Sequence, residues 1–273
     1  MEALRQIETW ECGFAAAAVV ARDGVRARHG DGDRAVGWAS VTKLLAAYAG
    51  LVAAEEGVLD LDDEAGPPGA TVRHLLAHAS GLPFEGRGPI GRPGERRIYS
   101  NTGIEVYAEH LAERAGMPFG DYLREGVLEP LAIRGELVAS PAAGFHGTLA
   151  DLELFALELL APRLVAEETL AEATTVQFAG LNGVLPGIGR QEPNDWGLGF
   201  ELRDGKRPHW TGALNSPRTY GHFGGSGTFL WVDPDRGLAL ACLTDREFEA
   251  WALEAWPALA DAVLAETGPP RRL

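Results

Sequence analysis

Lysine is nearly absent from this chain of 273 residues: of its 24 basic residues only Lys43 and Lys206 are lysines, and all the others are arginines. Positive charge is scarce as well. A formal charge of −15 and a pI near 4.9 oppose the clustered Lys and Arg of a phosphate-binding footprint, so no nucleic-acid partner is expected. The two cysteines, Cys12 and Cys242, are too few for a disulfide framework and have no metal-ligand spacing, which leaves free thiols. No apolar run approaches the roughly 20 residues of a membrane span, since the stretch Phe14 to Ala21 is bounded by Glu11 and by Arg22-Asp23. Met1 to Glu11 carries three Glu and one Arg, the wrong charge order for a secretory leader. These absences predict a cytoplasmic protein with no membrane partner.

What is present matches a soluble globular chain, with 46% hydrophobic and 23% charged residues. Ala15 to Arg22 and Val25 to Arg28 read as two strands around the turn signal Asp23-Gly24. From Ser40 to Gly57 alanines and leucines run at helical spacing, with Ser40 at the start. Helical patterns follow at Thr71 to His78, Thr102 to Ala115, Phe119 to Leu128 and Leu149 to Leu160. After Gly189 strands are expected at Trp196 to Leu202, Thr219 to His222, Gly227 to Val232 and Leu238 to Thr244, with a closing helix from Glu247 to Ala265. Sheet elements at both ends around a helical middle predict an α/β (α+β) fold. Its antiparallel sheet is flanked by helices and built from both chain ends, with a mostly helical inserted domain. Residues 1–58 and 190–273 are assigned to the sheet domain and 59–189 to the helical one.

Chemistry concentrates in three short stretches. In Ser40-Val41-Thr42-Lys43 the first and last residues share a helix face, so the Lys43 amine can reach the Ser40 hydroxyl. A lysine in a dry setting can lose its proton and act as a base, which an arginine cannot. Composition alone gives about 0.04 chance occurrences of S-x-x-K. Tyr99-Ser100-Asn101 follows on a connecting segment before a helical pattern; Tyr99 can relay the Ser40 proton, and Asn101 can orient Lys43 and bind a substrate carbonyl. Gly221-His222-Phe223-Gly224-Gly225 begins on a predicted strand, and the backbone N–H groups of Ser40 and Gly225 suit an oxyanion hole. No metal or other cofactor is required.

These three stretches, in this order, resemble the motifs of the penicillin-recognising serine hydrolases: class C β-lactamases, D,D-peptidases and lactamase-like esterases. Val58 to Asp63, Leu75 to Pro83 and Glu129-Pro130-Leu131 are also similar to phrases of that family, and the likeness runs from about Ala15 to Thr244. The resemblance implies a β-lactamase/transpeptidase-like fold and an acyl-enzyme on Ser40. It implies proton handling by Lys43 and Tyr99 and substrate binding by Asn101, His222, Phe223 and Gly224. His222 stands where other members carry Lys or His. The class A phrase Glu-x-x-Leu-Asn is missing, so deacylation is expected to pass through Tyr99. Phe223 replaces the usual Thr or Ser, whose hydroxyl helps bind a substrate carboxylate, and His222 removes a permanent charge. Both departures favour a neutral or apolar small-molecule ester or amide, and hence a carboxylic-ester hydrolase. The alternatives are a β-lactamase or D-Ala-D-Ala carboxypeptidase and, of another kind, a slow-deacylating sensor module. Trp38, Phe84, Trp196 and Phe223 are candidate pocket walls, and His78 reads as structural.

Overall fold

A computed structural model describes residues 1–86 and 88–268. The chain opens with a 3-10 turn, Ala3–Thr9, and a hairpin of β1 (Ala15–Ala21) and β2 (Gly24–Gly30). Then come β3 (Val36–Gly37), α1 (Thr42–Glu55), α2 (Val72–Leu76), α3 (Asn101–Ala115) and α4 (Phe119–Leu123), the last continued by a π turn over Arg124–Leu128. The middle ends with β4 (Glu136–Leu137), β5 (Phe145–Gly147), α5 (Leu149–Leu160), α6 (Glu167–Ala173), β6 (Gly183–Leu185) and β7 (Gly189–Gln191). The C-terminal part holds β8 (Glu201–Leu202), β9 (Tyr220–Gly224), β10 (Thr228–Asp233), β11 (Leu238–Thr244) and α7 (Ala250–Glu266).

The main sheet runs β2-β1-β11-β10-β9-β8, with every described neighbour antiparallel. Pairing of β1 with β11, Ala15 opposite Thr244 through Ala21 opposite Leu238, joins the two ends of the chain as the sequence predicts. The central strands are buried on both faces, so they read as continuous apolar runs. Strand alternation splits them between two cores. Ala16, Ala18 and Val20 face the helical layer with Leu44, Leu149 and Leu152, while Ala17 and Val19 face the N-terminal turn and Trp256 and Leu259 of α7. Helix α5 packs directly on β1, β10 and β11, so this part of the segment 59–189 belongs to the sheet's cover. In α1 every residue from Thr42 to Ala53 is buried, which explains an apolar helix with almost no polar face. Among the described residues no helix is long and apolar enough to cross a membrane.

Three expectations need correction. The strand expected over Trp196 to Leu202 shrinks to Glu201–Leu202, because the backbone ahead of it bonds elsewhere. Leu198 N–H donates to Ala173 O at 2.8 Å and Gly199 N–H to Leu76 O at 2.9 Å. The helix expected over Thr71 to His78 stops at Leu76, and His78 takes a left-handed φ of 55°. The hairpin loop also falls one residue early, at Arg22-Asp23, since Ala21 pairs with Gly24.

Gly199 has φ +77°, and a Cβ there would overlap the Ala47 Cβ of α1. Gly199→Ala should therefore cost about 2–4 kcal/mol, a left-handed penalty plus overpacking. Gly69→Ala, at φ +83° with nothing within 4 Å, should cost only about 1 kcal/mol. Urea unfolding of the two variants checks the difference.

Candidate active site

Chain geometry places Ser40 at a strained corner. The segment leaves β3, which pairs with β5, and turns through Ala39–Val41 into α1. Ala39, immediately before Ser40, has φ +44°, an uncommon conformation for a residue with a Cβ. The corner is fixed from outside. Trp38 N–H donates to Phe145 O at 2.8 Å, Phe145 N–H donates to Thr42 Oγ1 at 3.1 Å, and Trp38 O accepts from Thr228 Oγ1 at 2.8 Å. The end of β9 presses on the same corner, for a Cβ on Gly224 would lie 2.5 Å from Trp38 O. Glycine at 224 is what permits this contact, and Gly225 beyond it is exposed with open space around its Cα.

In the first turn of α1, Lys43 is completely buried. Its Nζ meets three oxygens: Ser40 Oγ at 3.1 Å, Asn101 Oδ1 at 2.6 Å and the Ala142 carbonyl at 2.8 Å. It also lies 4.8 Å from the centroid of the Tyr99 ring. Burial pulls the Lys43 pKa down to about 7, against an upward pull from Glu105. A neutral amine has two N–H bonds and one lone pair. Two carbonyl oxygens and one hydroxyl match that inventory, with the lone pair toward Ser40.

Tyr99 and Asn101 flank Ser100, the N-cap of α3, whose Oγ accepts from Gly103 N–H at 2.8 Å and donates to Pro83 O at 2.6 Å. The capping residue of the second motif thus anchors its two neighbours. Tyr99 is only partly exposed, and its apolar surroundings raise its pKa while a hydrogen bond with Ser40 acts in the opposite direction. His78, Trp196 and His222 surround its ring, with centroids 4.7, 5.9 and 5.7 Å away. The ring partners fix the tautomers. His78 Nδ1 accepts from Ser100 N–H at 3.2 Å and so leaves its proton on Nε2; His222 Nδ1 donates to Phe223 O at 2.7 Å and leaves Nε2 bare. Burial, reinforced by Lys43, lowers the His222 pKa to about 3, so this ring is neutral at ordinary pH.

Phe223 does not join this group. Opposite faces of β9 carry His222 and Phe223. Phe223 is buried on the α7 side among Phe248, Trp210 and Trp256 at 4.7, 5.5 and 6.1 Å, which corrects its expected place as a substrate contact and pocket wall. Trp38 is core, packed on Phe145 at 4.5 Å. Phe84 is 51% exposed and stacks on Tyr99 at 5.9 Å.

Two contributors escape sequence reasoning. Ala142 acts through a backbone carbonyl, which any residue type would supply. Arg97 belongs to no motif, yet only 2% of it is exposed. Its guanidinium donates to the carbonyls of Ala77 (2.6 Å), Gln177 (2.8 Å), Phe178 (3.2 Å) and Asn194 (3.0 Å), locking the loop that precedes Tyr99. Among the described residues no group of three or more His, Cys, Asp or Glu could hold a metal ion.

The sequence model of the family described as Beta-lactamase matches residues 12–135 and 132–264. The chain belongs to the beta-lactamase family. It is 55% identical to a protein of known crystal structure, described as a beta-lactamase from Mycobacterium bovis, with a TM-score of 0.96 over 97% of this chain and 99% of that one. EstCE1, described as a hydrolase with promiscuous acyltransferase activity, shares the fold at 17% identity and a TM-score of 0.79, with 96% of each chain covered. Penicillin-binding protein 4* of Bacillus subtilis (strain 168) is 28% identical over 125 residues, in a match that covers 34% of this chain and 28% of that protein.

Holding an amine in this place should leave a signature in stability. The folded-state pKa of about 7 lies below the unfolded value of about 10.4, so between these limits the unfolded chain binds more protons and stability from this group rises with pH. From pH 7 to 9.5 the unfolding free energy of the wild type should rise by about 1–3 kcal/mol more than that of Lys43→Met, read by urea titration at both pH values.

Proposed function

We propose that this member of the beta-lactamase family is a serine hydrolase working through an acyl-enzyme on Ser40, and that it is a carboxylic-ester hydrolase. The observation that carries the proposal is the Lys43 amine: fully buried, held by two carbonyl oxygens, and turned to Ser40 Oγ at 3.1 Å.

Ser40 Oγ attacks the ester carbonyl as its proton passes to Lys43 Nζ. The carbonyl oxygen becomes an oxyanion facing the backbone N–H groups of Ser40 and Gly225. As the C–O bond to the alcohol breaks, the Tyr99 hydroxyl gives a proton to the departing alkoxide and is recharged from Lys43. In the second half water attacks the acyl-enzyme carbonyl, gives a proton to the Tyr99–Lys43 pair, and Ser40 leaves with that proton restored. Asn101 Oδ1 keeps the amine aimed, and its amide donors are suited to the substrate carbonyl.

The third motif supports the choice of a neutral ester. His222 presents a buried, uncharged ring, and Phe223 offers no hydroxyl and faces the other core. A carboxylate of the penicillin or D-Ala-D-Ala type finds neither cation nor hydroxyl donor on these two side chains. The second reading, a β-lactamase, rests on the description carried by the 55% identical Mycobacterium bovis protein.

Turnover of p-nitrophenyl butyrate should exceed that of nitrocefin and vanish in Ser40→Ala, whereas nitrocefin as the faster substrate would establish the second reading. The acid limb of kcat/KM should have an apparent pKa of about 7, since protonation of Lys43 removes the base. Lys43→Arg, unable to deprotonate, should lose about 10²–10⁴-fold in kcat. Intact mass after fluorophosphonate treatment should show one adduct, on Ser40; a lasting ester-derived adduct without turnover would instead indicate a sensor.

A further inference from the structure

Beside Tyr99 opens a cleft of about 750 Å³, walled by Phe84, Ile90, Ile98, Tyr99, Val184 and Pro186. Most large apolar side chains in a folded chain are hidden, and exposed ones that cluster usually mark a binding surface. Here Phe84, Ile90 and Val184 are 51%, 57% and 59% exposed, and they account for three of the seven large hydrophobic side chains exposed among the described residues. All three border this one cleft, so chance scatter is a poor account of them.

The charges at its rim are of both signs and are engaged. Arg190 pairs with Glu192, Arg96 donates to Ile90 O at 2.9 Å, and a Glu95 oxygen accepts from Arg92 N–H at 2.9 Å. The inward cation, Arg97, spends its donors on backbone carbonyls. The floor is therefore apolar, and each rim charge already has a partner within the protein.

Both walls are anchored to the elements that place the reacting groups. Phe84 O accepts from Asn101 N–H at 2.9 Å, and Arg97 N–H donates to Asn182 O at 2.9 Å beside the bridge between Arg97 and Gly183. Tyr99 belongs to both spaces, with Lys43 near its ring and Phe84 stacked on it. Such a cleft is preformed and has no ordering cost to offset before it takes a ligand.

We infer that this cleft receives an uncharged aliphatic or aryl substituent of the ester, making the protein selective for esters with a medium-length apolar group over acetates and over carboxylate-bearing substrates. The inference rests on the ester-hydrolase reading and adds to it the subsite that selects the substrate. Each methylene buried is worth about fourfold in kcat/KM, the equivalent of about 0.8 kcal/mol.

Two substrate series test it on the full chain. With p-nitrophenyl acetate, butyrate and hexanoate the acyl group lengthens; with ethyl, butyl and hexyl acetate, followed by pH-stat, the alcohol lengthens. A rise in kcat/KM of at least about tenfold along one series supports the cleft and tells which part of the ester it holds. Val184→Asp and Ile90→Asp, both at exposed positions, should flatten that rise at least about fivefold in the hexyl-to-short ratio. Profiles flat in both series, or unchanged by both variants, overturn the inference even when Ser40 takes the fluorophosphonate label and acetates turn over. Absence of the label strikes the hydrolase reading instead. In that case Ser40→Ala crystals soaked with hexyl acetate decide the cleft alone: a hexyl chain lying against Phe84 and Val184 supports it, and none there overturns it.

Discussion

An amine sealed away from water is the constraint on which this site depends. Lys43 is buried by a helix that is itself buried, and among the described residues no carboxylate bonds to it. Its three oxygen partners come from three separate parts of the chain: the corner before α1, the first residue of α3 and the loop before β5. Docking those parts excludes the water that would keep a lysine charged, and the same docking aims the amine at Ser40. The placement of the amine and tertiary packing are here a single arrangement.

Burial lowers the pKa of the molecule's other lysine as well, but there a bonded carboxylate opposes the shift. Lys206 bonds to Glu201 and to the carbonyls of Asp195 and Leu202, both at 2.6 Å. Burial opposes the charge on Glu201, but His209 and Lys206 together hold its pKa down to about 2, so the carboxylate stays ionised. Lys206 also sits 5.3 Å from the Trp196 ring, which forms part of the cage around Tyr99. One lysine has no carboxylate among its hydrogen-bond partners and its pKa falls to about 7; the other has one and braces the wall of the site.

Local relations were legible in the sequence. Ser40 and Lys43 are three residues apart across the turn into α1, and Tyr99 and Asn101 flank an N-capping serine, so spacing predicts their proximity without knowledge of the fold. The antiparallel sheet was readable from alternation and turn signals, and the family likeness joined the pieces. What could not be read depends on distant partners. The Ala142 carbonyl has no side-chain signature, and Arg97 gains its role only when four carbonyls from three separate loops converge on it. The face chosen by Phe223 follows from the pairing of β9 with β10, where Phe223 opposes Phe229 and His222 opposes Leu230. The missing strand before Glu201 reflects a glycine that has to pass close to α1.

The depth of α1 has a kinetic consequence for the whole molecule. Local opening events release segments with few buried contacts, while elements enclosed on every side open only when the entire domain unfolds. The residues Thr42 to Ala53 are of the second kind, and Ser40 is tied to them through the corner at Trp38 and Thr42. Amide hydrogens along this helix should belong to the slowest-exchanging class, and Ser40 and Lys43 cannot drift apart while the domain remains folded. Inactivation by heat or denaturant is thereby coupled to loss of the fold in one cooperative event.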